Sequence, residues 1–122
     1  MNNHGFKKTL EIRTMEYAVN VILFLKSFPY SMIDSVILKQ VLRSATSIGA
    51  NYREANRAES KNDFIHKVGI VEKEVSETMY WFGIMELTWN FTQKQQDNFI
   101  RLKTETSELL AIFSTISRKS KL

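Results

Sequence analysis

Few side chains in this 122-residue chain are spaced for chemistry. Asp63 and His66 stand three apart, so on a helix they share a face. Di-iron carboxylate bundles use Glu-x-x-His twice and add two further carboxylates. Here the motif occurs once and with Asp, so His66 reads as a surface histidine. Glu72, Glu74 and Glu77 crowd one stretch, with Glu54 a candidate neighbour. Paired carboxylates do general acid–base work when their surroundings separate their pKa values. Their commoner use in a bundle is ion pairing, here with Arg43, Arg53 or Lys73. Ser44 and Ser47 have no histidine base at a readable spacing. Gly49, Gly69 and Gly83 are isolated and make no phosphate-cradling loop. The absence of cysteine excludes disulfides, thiolate metal sites and thiol nucleophiles. The expectation is therefore no enzyme, with no catalytic residue, metal site or cofactor; a metal-dependent bundle enzyme is the remote alternative.

Phosphate binding is the chemistry left. Lys39, Arg43, Arg53, Arg57 and Lys61 form a basic line, and Lys7, Lys8, Arg118, Lys119 and Lys121 add charge near the termini. A net charge of +4 and a pI near 9.4 permit an RNA or DNA partner through phosphate contacts. No helix-turn-helix, homeodomain or RNA-binding signature accompanies them. The competing reading is a solvated face paired locally with Glu54 and Glu59.

The elements that position these groups are helices. One proline and four glycines leave few breaks, and no segment alternates with period two. Apolar spacing predicts helices over about residues 9–27, 32–57, 61–89 and 93–117. Ser31-x-x-Asp34, Ser60-x-x-Asp63 and Thr92-x-x-Gln95 each read as a capping box that opens a helix. Pro29 ends the first helix, since the residue before proline avoids helical geometry. Short connections predict an all-α, antiparallel up-down-up-down four-helix bundle. Residues 1–122 form one domain in this reading, with 1–8 and 118–122 flexible. Glycines inside helices cost about 1 kcal/mol each against alanine, so Gly49, Gly69 and Gly83 imply close helix approach. The N-terminus lacks an apolar signal core, and residues 79–91 are too short and polar to span a bilayer. A cytoplasmic protein with no membrane partner is expected.

Two features point to assembly. Residues 79–89 read MYWFGIMELTW, apolar around most of a helix, with Tyr80, Trp81, Ile84 and Leu87 off the core seam. Such a patch marks an interface more often than a monomer surface. Beside the apolar line of the second helix (Leu38, Val41, Ala45, Ile48, Tyr52, Ala55) runs a small polar line of Gln40, Ser44, Ser47, Asn51 and Glu54. It is read as fixing assembly and register, with Glu74 and Glu77 as partners. Tyr80 and Trp81 complete this set.

The segment QVLRSATSIGANYREANRAESKNDF, followed by KEVSETMYWFGIMEL, resembles the small bundle proteins encoded in intervening sequences of bacterial 23S ribosomal RNA genes. The accessory variability proteins of diversity-generating retroelements resemble the same family. The pattern is Gln40-x-x-Arg43-x-Ala45-x-Ser47-Ile48-x-x-Asn51-x-x-Glu54, joined by Phe64, Glu74, Glu77 and Tyr80-Trp81. The likeness covers about residues 9–116 and is strongest over 40–87. Ala55-Asn56 stands where many relatives have a glycine after the glutamate. The resemblance implies a four-helix bundle, a homopentamer with a central channel, and no enzyme activity. Retroelement relatives associate with a reverse transcriptase and bind nucleic acid through a basic surface. The expected function is a homo-oligomeric scaffold for nucleic acid or a nucleic-acid-processing protein; the alternative is a protein-interaction module without nucleic acid.

Overall fold

The computed structural model of the protein describes residues 3–122. Four helices account for most of it: α1 Asn3–Leu25, α2 Met32–Ala55, α3 Lys61–Thr88 and α4 Gln93–Ser120. No strand occurs among the described residues. Successive helices pack side by side and α1 closes on α4, which gives the up-down-up-down order. α1 and α3 occupy one diagonal, α2 and α4 the other.

The caps form where expected. Ser31 Oγ accepts from the Asp34 N–H at 3.0 Å, and Ser60 Oγ from the Asp63 N–H at 3.1 Å. Thr92 and Gln95 bond each other reciprocally, a complete capping box. Each cap satisfies N–H groups that the first turn of a helix leaves free.

Five boundaries differ from the spacing-based ones, those of α2 and α3 only by their ends at Ala55 and Thr88. α1 begins at Asn3 rather than near residue 9, and residues 1 and 2 lie outside the described residues. Tertiary packing supports those added turns: Lys7 Nζ sits 5.8 Å from the Phe64 ring centroid, and Phe6 joins Tyr52, Phe64 and Ile116 around one cleft. α1 also ends earlier, at Leu25, and the chain turns so that Phe28 meets Trp89 (4.9 Å) and Phe91 (5.7 Å). α4 continues to Ser120, with Ser117 buried.

The core lies where the periodicities meet. Val41, Ala45, Ile48, Tyr52 and Ala55 of α2 are buried; Leu38, at the end of that line, is only half-buried. They face Tyr17, Val21 and Phe24 of α1, Val71, Val75, Phe82 and Met85 of α3, and Phe99, Leu109 and Phe113 of α4. Each fully buried large side chain contributes about 1.5–3 kcal/mol. Among the described residues, the Asn56 Oδ1 is the buried side-chain polar atom without a hydrogen-bond partner. The Tyr17 hydroxyl lies 2.7 Å from Thr106 Oγ1, and burial pushes that phenol above its usual pKa.

The glycine expectation holds at one position. A Cβ on Gly49 would meet Thr14 Oγ1 at 3.1 Å and Thr14 Cβ at 3.3 Å, so α1 and α2 approach closely there. At Gly69 and Gly83 a Cβ would meet nothing within 4 Å. Those two face outward from α3 and leave a shallow surface.

Candidate nucleic-acid interface

The polar line of α2 faces α3 and builds an interhelical knot. Ser44 is fully buried and takes a 2.8 Å hydrogen bond from the Thr78 hydroxyl, which also lies 2.9 Å from the Glu74 carbonyl. Arg43 Nη1 reaches Glu74 Oε2 at 3.3 Å, and its Nη2 pairs with Glu77. Trp81 Nε1 donates to the same Glu77 carboxylate at 3.3 Å, and Gln40 Oε1 accepts from Arg43 Nε at 3.5 Å. The Arg43 bond holds the Glu77 carboxyl below its ordinary pKa, against the opposing effect of burial. The same pair raises the Arg43 guanidinium. Gln40, Ser44, Glu74, Glu77 and Trp81 are thus brought together, within one chain. Ser47 and Asn51 continue the line half-buried, bonded to the backbone of α2 itself at Arg43 O (2.6 Å) and Ser47 O (2.8 Å). Glu54 is exposed and in no ion pair among the described residues; it does not join Glu74 and Glu77. Tyr80 stacks edge-on against Trp81 at 5.1 Å but stays 62% exposed.

The basic line is divided by this geometry. Arg43 is occupied by Glu74 and Glu77. Arg53 pairs with Glu11 at 3.7 Å, not with Glu54 or Glu59. Lys39 is exposed in the first third of α2, away from Arg57 and Lys61. Arg57 and Lys61 remain together at the α2–α3 corner, Arg57 on the Arg53 carbonyl (3.0 Å) and Lys61 on Leu122 O (2.9 Å).

At that corner the topology gathers charge from elsewhere. The start of α1, the α2–α3 turn and the end of α4 all lie at one end of an up-down-up-down bundle. Within residues 4–11, 53–67 and 116–122 fall nine of the 17 Lys and Arg residues but only four of the 13 Asp and Glu. The rest of the molecule carries eight basic and nine acidic residues, so the net positive charge sits at one end. A cleft of about 440 Å³ opens there, lined by His4, Lys7, Lys8, Glu11, Asn56 and Arg57. Lys7, Lys8, Arg57, Lys119 and Lys121 form no ion pair among the described residues. Converging cations of this kind raise the local positive potential and attract phosphates. The Asn56 amide donates to Glu11 at 2.9 Å, which pins the acidic member of the cleft.

Asp63 serves as the first-turn acid of α3 and pairs with Lys67 at 3.5 Å, while His66 points outward. No group of three or more His, Cys, Asp or Glu suited to a metal ion occurs among the described residues. No helix among them is long and apolar enough to cross a membrane.

Sequence spacing missed the Arg13 site. Arg13 holds Glu105 through two bonds (2.7 and 2.6 Å) and reaches Glu108 at 3.1 Å, tying α1 to α4 and raising the guanidinium pKa. Its local signal is a lone arginine on α1 and two glutamates three apart on α4.

A buried interhelical knot and one charged end define a packed bundle that presents a surface. The profile of the 23S rRNA-intervening sequence protein family matches residues 9–112, and the chain belongs to that family. A crystal structure of a protein of unknown function from the S23 ribosomal protein family of Bacteroides thetaiotaomicron is similar throughout. Its TM-score is 0.79 and its identity 33%, over 92% of this chain and 97% of that one. No curated protein matches.

Proposed function

We propose that this protein is a non-enzymatic scaffold that assembles as a homo-oligomer and binds nucleic acid, or a nucleoprotein, across its basic end. The observation that carries this is the charge distribution: a chain of net +4 places all of its excess at the end shared by Lys7, Lys8, Arg57, Lys61, Lys119 and Lys121. Copies arranged with those ends on one side would sum their fields. The resemblance to retroelement accessory proteins supports a pentamer and a partner such as a reverse transcriptase. The cytoplasm is the compartment proposed, in keeping with a cysteine-free chain.

Phosphate contacts make binding salt-dependent, with each neutralised phosphate adding roughly 0.7–0.9 to the slope of log affinity against log salt. In a filter-binding titration with single-stranded RNA, Arg57→Ala and Lys61→Ala should each lower the slope by about one contact. Absence of RNA and DNA affinity even at low salt would remove the nucleic-acid reading. Exposed Tyr80 and Leu87 favour a second reading, a protein-interaction module. A protein partner recovered equally from nuclease-treated lysate, with no RNA or DNA affinity, would select it.

A further inference from the structure

Two outward faces lie on opposite corners of the bundle without a partner in the chain. On α1, Ile12, Met15, Val19 and Leu23 recur at intervals of three and four and are 50%, 55%, 48% and 60% exposed. A contiguous row of large apolar side chains marks an interface more than scattered surface residues do. On α3, Gly69, Ser76 and Gly83 recur every seven residues, with open space where either glycine would carry a side chain. Tyr80 and Leu87, both exposed, stand beside them. One face is a ridge and the other a furrow with apolar walls.

The two match in height and in charge. Thr14 of α1 stands at Gly49 of α2, and Ser44 of α2 at Thr78 of α3. Counting along antiparallel α2 places residues 15–19 of α1 level with residues 74–78 of α3. A neighbouring copy with its bundle axis parallel would therefore set Met15 and Val19 against the gaps between Lys73, Ser76 and Tyr80, without sliding along the axis. The same register brings Glu16 within one turn of Lys73. Both are exposed and neither forms an ion pair among the described residues.

We infer that the α1 ridge of one copy packs into the α3 furrow of the next, head to tail; this rests on the homo-oligomer reading above. The occupant is a second copy because ridge, furrow, common height and opposite charges all belong to one molecule. Since the two faces differ, each subunit gives one and receives the other, a heterologous contact that closes into a ring when the rotation allows. All basic ends then point to the same side of the ring.

Val19→Glu spoils the ridge and Ser76→Glu spoils the furrow, both at surface positions, with folding checked by circular dichroism melting. By light scattering, each variant alone should fall to the 14.2 kDa monomer. Mixed, they should form a one-to-one dimer and nothing larger, because one intact ridge meets one intact furrow. Glu16→Lys should weaken assembly and Lys73→Glu should restore it. No dimer on mixing, or either variant keeping the wild-type size, would overturn the head-to-tail pairing. A monomeric wild type would instead overturn the homo-oligomer reading on which it rests.

Discussion

Ser44 and Thr78 share a buried 2.8 Å hydrogen bond, and neither has water to fall back on. Removing one hydroxyl costs the other a buried bond, leaving Ser44 the Val41 carbonyl (3.3 Å) or Thr78 the Glu74 carbonyl (2.9 Å), a loss of about 0.5–1.5 kcal/mol. Thr78→Val should therefore destabilise in urea unfolding by about that amount, and Ser44→Ala with Thr78→Val by less than the sum of the single changes. Arg43 is the same argument with charge. Its loss leaves Glu74, only 11% exposed at the side chain, without its cation, so Arg43→Ala should cost about 1–3 kcal/mol. Glu77 adds a pH dependence. Its folded pKa lies below the ordinary 4.5, so the pair stabilises above that value and the stability is lost as pH falls through the lowered one. Unfolding free energy should decline on acidification below about pH 4 in wild type and flatten in Arg43→Gln. The residue types of this knot were legible, since Gln40, Ser44, Glu74 and Glu77 stand out by spacing. Their location within a single chain was not, because the partners lie 31 and 34 residues apart and only the α2–α3 packing brings them together.

At the scale of the element, helix existence followed from period and caps, and helix ends did not. α1 shows why. Asn3, His4 and Gly5 are poor helix formers, and what holds the first turns is Phe6 and Lys7 against Phe64, a contact no local window contains. Phe28 continues the spacing of Val21 and Phe24, yet it lies beyond the end of α1 and joins an aromatic cluster with Trp89 and Phe91. The glycines separate two roles. Ala at Gly69 should stabilise an isolated α3 surface by up to about 1 kcal/mol through helix propensity. Ala at Gly49 should lose that gain to crowding against Thr14. Thermal melts of the two variants check this; an equal gain at both positions would contradict the close α1–α2 approach.

For the whole molecule, topology does what no motif announces. Lys7, Arg57 and Lys119 are far apart in sequence and meet because an up-down-up-down chain returns to the same end. Composition revealed the excess charge but not its position, and the basic line along α2 drew attention to Arg43 and Arg53, which the fold commits to carboxylates. The apolar excess is legible in the sequence of α3 but not of α1, where Ile12, Met15, Val19 and Leu23 merge with a core stripe unless burial is known. The most direct test compares two variants of equal charge change by fluorescence anisotropy with single-stranded RNA at low salt. Lys7→Glu with Arg57→Glu reverses the basic end, and Lys26→Glu with Lys94→Glu alters the opposite one. The account predicts that the first loses most of its affinity while the second stays near wild type. Equal loss in both, or no binding by the wild type, would contradict it.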